Sequence, residues 1–178
     1  MIFGDQFGMI ALPDKKLLIL TPPKCGSTSL HALLCQQENS VFIIGPQLDG
    51  RIDKHTSRIP FDFRNYKRYI VVRDPYTRFL SLYKHHLLFN DYEPIDDFIK
   101  NYYKNSFNQN ITSAYKIKCN YWKLENLPQC LEEVGIGHNM LLLNESEIES
   151  EDLTAKHKAE IANWAKPDCE SFNYDFFG

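Results

Sequence analysis

One passage occurs twice in this chain, and it constrains the fold more than any other feature. Lys16 to Leu20, KLLIL, is a short apolar run that ends in Thr21-Pro22-Pro23. Past Gly26, the leucines Leu30, Leu33 and Leu34 recur at helical spacing, which predicts a helix starting near Ser27. Arg68 to Val72, RYIVV, is a second apolar run, followed by Asp74-Pro75. Asp is a preferred N-cap and Pro fits the first helical position, so a helix is predicted there, continued by Phe79, Leu82, Tyr83 and Leu87. Strands that are apolar throughout and pass directly into helices belong to a parallel sheet covered on both faces.

The remaining segments fit that plan. SVFIIG, Ser40 to Gly45, reads as a further strand, and PIDDFIKNYYK as a short amphipathic helix. KIKCNYWKLE reads as a strand that runs into NLPQCLEEVG, where Asn126 and Gln129 form a capping box and Gly135 or Gly137 supplies the C-cap. LTAKHKAEIANWAK is a last helix capped by Thr154. FNQNITSAYK is polar and reads as a loop. With 178 residues and no repeat or linker, the expectation is one domain over residues 1–178: α/β, with a mostly parallel central sheet flanked by helices.

Charge narrows the function. The net charge of −3 gives no general affinity for nucleic acid. Between Arg51 and Arg78, however, eight basic residues face three acids. The sharper reading of that imbalance is a basic cleft for an anion, and the blander one is solvated surface charge. Five cysteines, an odd number without CxxC spacing, speak against a disulfide framework or zinc site and for a reducing, cytoplasmic location. No charged start leads into a long apolar segment, so neither signal peptide nor membrane anchor is expected.

Thr21 to Leu30, TPPKCGSTSL, has the makings of an anion site. A helix N-terminus presents backbone N–H groups and the positive end of its dipole. Gly26 permits close backbone approach, Ser27, Thr28 and Ser29 add hydroxyls, and Lys24 adds a mobile charge. Nucleotide-binding P-loops place the lysine after the last glycine, whereas Lys24 precedes the glycine of this loop. Cys25 has no arginine in the following residues to complete a phosphatase-type loop, so it is read as a packing residue whose N–H faces the ligand. In the second stretch, Arg73 leaves the carboxyl end of its strand, the edge where open α/β sheets bind ligands. Arg73 can grip a phosphate through two N–H groups, and Ser81, two helical turns on, can donate a third bond. For Arg78, an ion pair on the surface is the favoured reading.

Together these stretches resemble the PAPS-dependent sulfotransferases, especially the carbohydrate-sulfating branch. Pro23-Lys24-Cys25-Gly26-Ser27-Thr28-Ser29 is similar to that family's 5′-phosphosulfate loop, which is P-loop-like. Val72-Arg73-Asp74-Pro75-Tyr76-Thr77-Arg78-Phe79-Leu80-Ser81-Leu82-Tyr83 is similar to its 3′-phosphate motif. KLENL, Lys123 to Leu127, LNES, Leu143 to Ser146, and KPDCESFNY, Lys166 to Tyr174, resemble later family segments. The resemblance implies that Ser27, Thr28, Ser29 and the loop N–H groups, those of Cys25 and Gly26 included, hold the 5′-phosphate of PAPS. It also implies that Lys24 lies by the bridging oxygen between phosphate and sulfate, and that Arg73 and Ser81 bind the 3′-phosphate. No metal is implied.

An acceptor hydroxyl has to lose its proton, so a base is required. His55, in DKHTSRIP between the two motifs, is the candidate, with Lys54 orienting sulfate or acceptor; Glu125 is the rival base, and its strand–helix junction favours a structural role. His31 is read as packing or capping, His85 and His86 as possible linings of the acceptor entrance, and His138 and His157 as peripheral. Tyr92, Tyr102, Tyr103, Phe107 and Tyr115 supply rings that could stack on sugars, so the expected partner is a hydroxyl-bearing acceptor, a glycan or another small molecule. Two other functions stay open at this point: a nucleoside or nucleotide kinase on a related scaffold, and a non-catalytic PAP-binding module.

Overall fold

The computed structural model describes residues 8–43, 47–48, 51–52, 59–90, 92–101, 111–114, 119–137 and 153–175. The chain divides into two compact units, one of residues 1–72 and 117–144, the other of residues 73–116 and 145–178.

The first unit is built on a five-stranded sheet of β1 (Met9–Leu12), β2 (Leu17–Leu20), β3 (Val41–Ile43), β6 (Lys67–Val72) and β7 (Asn120–Lys123), in the order β3-β1-β2-β6-β7. Two short strands, β4 (Gln47–Leu48) and β5 (Arg51–Ile52), pair separately. β2, β6 and β7 run parallel, with Leu20 opposite Ile70 and Val72 opposite Lys123. This is the parallel sheet expected from the apolar runs. β1 is an addition: it pairs antiparallel with both β2 and β3. A single turn at Pro13–Lys15 joins β1 to β2, too short a connection for a parallel crossover. Both β1 and β2 are buried at every position, so the sheet is covered on both faces. The rings of Tyr69 and Trp122 stack between β6 and β7 with centroids 4.1 Å apart.

Helices α1 (Ser27–Leu34) and α5 (Leu127–Glu133) complete this unit. Gly135, at φ 69°, ends α5: its N–H donates to Glu132 O at 2.8 Å, and Ile136 N–H donates to Leu131 O at 2.9 Å. That double bond pattern is a Schellman cap. The capping box expected of Asn126 and Gln129 does not form, since Asn126 makes no side-chain cap bond. The reason lies in the backbone: the single turn at Leu124–Asn126 runs straight into α5 and leaves Asn126 at φ −117° and ψ 16°, away from the extended conformation of a capping residue.

The second unit is helical: α2 (Pro75–Leu87), α3 (Ile95–Asn101), α4 (Ile111–Ala114) and α6 (Ala155–Phe172). Asp74 caps α2 as expected, accepting from the Thr77 N–H at 2.9 Å. The core collects Tyr76, Phe79, Leu80, Leu82 and Tyr83 of α2 with Phe98, Ile99, Leu153 and Ile161. Each such large side chain contributes roughly 1.5–3 kcal/mol on full burial. Arg78 falls on the same stripe and is only 6% exposed, which corrects the surface ion-pair reading. Pro75, Arg78, Phe79, Leu82 and Tyr83 recur at i, i+3, i+4, i+7 and i+8, so the stripe carries the charge inward.

α6 runs past the point where the sequence suggests it stops, with Pro167 inside the helix. A proline there costs about 3 kcal/mol through a lost hydrogen bond and a clash. The next residue offsets it. Asp168, 4% exposed, accepts from Ile111 N at 2.7 Å, Thr112 N at 2.7 Å and Thr112 Oγ1 at 2.8 Å. Hydrogen bonds to a charged group contribute roughly 1.5–3 kcal/mol each, so the three outweigh the proline. They also fold Ile111–Ala114, part of the segment read as a loop, into α4. At the other end of α6, His157 is buried and completes a capping box with Thr154, a structural role in place of the peripheral one expected. Asp168→Ala is expected to destabilise the protein by roughly 3 kcal/mol or more. Chemical denaturation should show this as a lower midpoint at unchanged slope; an unchanged midpoint would remove Asp168 from this role.

Candidate functional site

Because β2, β6 and β7 are parallel, all three leave the sheet at one edge, and each leads into a turn that precedes a helix. β2 gives the loop Thr21–Gly26 and β7 gives the turn Leu124–Asn126, while β6 ends at Val72, the last residue of this part of the first unit. Ligands bind at such carboxyl edges. Of the quoted motifs, the Pro23–Ser29 loop and KLENL begin at this edge of the first unit.

The first loop has an unusual backbone. Cys25 N donates to Pro22 O at 3.2 Å, which closes a four-residue turn. Pro23 stands at its second position and Lys24, at φ 65°, at its third. This is the pattern of a type II turn, whose third position normally takes Gly. A lysine there costs of order 1–2 kcal/mol, a strain that points to a use for its side chain. Cys25 is fully buried, as expected of a packing residue. Its N–H, expected to face a ligand, instead donates to Pro22 O.

Gly26, at φ 75°, is the N-cap of α1 and brings no capping side chain to its first turn. The N–H groups of Ser27, Thr28 and Ser29 form that turn, with Ser27 and Thr28 half-buried and Ser29 buried at 4% exposure. A β-carbon on Gly26 would meet Leu124 Cδ1 at 2.6 Å. Leu124, from the KLENL turn after β7, therefore closes over the loop's glycine. The sequence leaves this pairing hidden, because the partners lie 98 positions apart (124 minus 26) and meet only through the register of β2, β6 and β7.

In the second unit, Arg73 Nε donates to Thr77 Oγ1 at 3.2 Å, and Thr77 Oγ1 donates to Asp74 O at 3.1 Å. Ser81 follows Thr77 by one helical turn. Both are half-buried on the side of α2 that the core stripe leaves, and the side continues through Lys84 and His85. His86 pairs with Glu93 at 3.0 Å and His85 packs edge-on against Phe89, so neither is a simple solvated histidine. Burial holds the His31 imidazole below its ordinary value. Glu125 is exposed in the turn before α5. None of the five cysteines is in a disulfide. Burial, with Asp168 next, pushes the Cys169 thiol up to about 11. Lys54, His55, His138, Tyr102, Tyr103, Phe107, Tyr115 and the LNES segment lie outside the described residues. Among the described residues, no group of three or more His, Cys, Asp or Glu side chains could hold a metal ion, and no helix is long and apolar enough to cross a membrane.

Compared with known families, residues 8–177 match the model of the sulfotransferase family. The chain belongs to the sulfotransferase family. The match covers both units and all the motifs named above. No curated protein and no solved structure matches the chain. As a sulfotransferase, the protein is a transferase of sulfuryl groups. This edge holds a strained lysine, a glycine whose missing β-carbon keeps the backbone close, and a helix turn rich in N–H and hydroxyl donors, a set suited to an anion.

Gly26→Ala is expected to destabilise the protein by roughly 1–3 kcal/mol, through positive φ and contact with Leu124. Adding Leu124→Ala should relieve the contact but leave the φ strain, so the two changes should be clearly non-additive in a denaturation cycle. Simple additivity would show that Leu124 does not press on the loop.

Proposed function

We propose that this sulfotransferase is a PAPS-dependent enzyme of one catalytic domain, residues 1–178, that transfers a sulfuryl group to the hydroxyl of a carbohydrate or similar small acceptor. The observation that carries the reading is Lys24. It occupies a turn position that favours glycine, two residues ahead of Gly26, the N-cap of α1. A long cation kept there against its backbone preference suits a site where negative charge develops.

Each group of residues then has a task. The first-turn N–H groups of α1, with the hydroxyls of Ser27 and Thr28, would receive the 5′-phosphate. Ser29, buried, would contribute through its N–H. Arg73 and Ser81 would receive the 3′-phosphate, the group that separates PAPS from ordinary adenine nucleotides. PAPS, when bound, supplies an activated sulfuryl group on a phosphate leaving group. Lys24 stabilises the negative charge that builds on the leaving oxygen, and His55 accepts the proton of the acceptor hydroxyl as it attacks. Catalysis is then mostly positioning and charge stabilisation, as in phosphoryl transfer. Phe89 and Tyr92, 75% and 81% exposed, leave ring faces available to an acceptor sugar.

Thermal unfolding with PAP, ADP and ATP, each with and without Mg²⁺, tests the donor. PAP alone should stabilise, by roughly 2.7 kcal/mol at 100 times its dissociation constant. Stabilisation by ATP with Mg²⁺ and not by PAP would favour a kinase and end this reading. Lys24→Ala should lose on the order of 2–4 kcal/mol of transition-state stabilisation, together with PAP affinity. With labelled PAPS and a panel of hydroxyl acceptors, His55→Ala should show no transfer while binding PAP nearly as the parent does; normal turnover would assign the base elsewhere.

A further inference from the structure

The hydrogen bonds around Arg73 involve a side chain that neither phosphate group was expected to use. Thr77 Oγ1 carries one proton and donates it to Asp74 O at 3.1 Å. The same oxygen therefore offers a lone pair to Arg73 Nε, which lies 3.2 Å away. The other end of the arrangement is also anchored. Asp74 Oδ1 accepts from Thr77 N at 2.9 Å, and Asp74 O accepts from Arg78 N at 2.8 Å. Thr77 is also β-branched, so its bond to the carbonyl three residues back selects one of few rotamers.

We propose that Thr77 is a positioning residue: its hydroxyl sets the plane of the Arg73 guanidinium and thereby the preference of this sulfotransferase for a nucleotide bearing a 3′-phosphate. A guanidinium is a rigid planar fork, so holding Nε fixes the directions of both terminal nitrogens. A bidentate grip on phosphate depends on that plane. Ser81 stands one turn beyond Thr77 on the same side of α2, so the fork and the second donor share one helical frame. The inference rests on the reading of Arg73 as the 3′-phosphate ligand.

Removing the hydroxyl leaves the helix cap intact, because Asp74 caps through the Thr77 backbone N–H. Thr77→Val therefore isolates the side-chain effect, and Thr77→Ala provides the same comparison should the valine variant fold poorly. Calorimetric titration of the full chain with adenosine 3′,5′-bisphosphate and with adenosine 5′-monophosphate reads the outcome. The parent should prefer the bisphosphate. Thr77→Val should weaken the bisphosphate by roughly 5- to 20-fold, the effect of one hydrogen bond, and leave the monophosphate unchanged. Thr77→Ser should restore most of the loss. In an Arg73→Ala background, Thr77→Val should have no further effect. Unchanged bisphosphate affinity in Thr77→Val, an equal loss for both nucleotides, or no recovery in Thr77→Ser would each overturn the positioning role. A parent protein that does not discriminate between the nucleotides would instead overturn the assignment of Arg73, and this inference with it.

Discussion

The parallel pairing of β2, β6 and β7 is the constraint on which the candidate site depends. Parallel strands leave a sheet at the same edge, so the residues that follow Leu20 and Lys123 emerge at one edge of the first unit although they are far apart in sequence. At that edge the chain must reverse into a helix each time, and each reversal has its own device: a type II turn with Lys24 at the strained position, and a single turn at Leu124–Asn126. These devices are local, but their common location is a property of the sheet. A one-residue slip of β7 against β6 would carry Leu124 away from Gly26.

The second unit holds its polar residues by the same economy of partners. Asp74 caps α2, accepts from the Thr77 hydroxyl and so bears on Arg73. Asp168 ties Ile111 and Thr112 to α6 beside a proline that would otherwise favour ending that helix. In both cases a carboxylate meets backbone N–H groups at the start of a helix, where the local field favours negative charge. The KPDCESFNY segment, which resembles a closing family motif, thus has a structural explanation in Asp168.

Much of this was legible from residue pattern. The apolar runs ending at Leu20 and Val72, the helix starts at Ser27 and Pro75, the Asp74 and Thr154 caps and the Gly135 C-cap all follow from local chemistry, because the groups that satisfy one another lie within a few residues. Where the prediction differed, a distant or competing partner decided. The Asn126 capping box fails because the preceding turn sets Asn126 at ψ 16°, away from the extended backbone of a cap. Arg78 reads as a surface charge until its place on the α2 stripe is counted. α6 passes Pro167 because Asp168 has partners 56 and 57 positions away.

By itself the sequence determined the fold class, the caps at Asp74 and Thr154, and the two stretches that resemble the family's phosphate motifs, since each depends on periodicity or on residue types at short fixed spacing. Only the tertiary structure decided that β1 joins the sheet antiparallel, that Leu124 closes over Gly26, that the Cys25 N–H turns inward to Pro22, and that Thr77 holds Arg73. Those outcomes depend on strand register, on backbone dihedrals and on which side of a helix a side chain occupies once the core stripe is buried, quantities that exist only when the chain has packed.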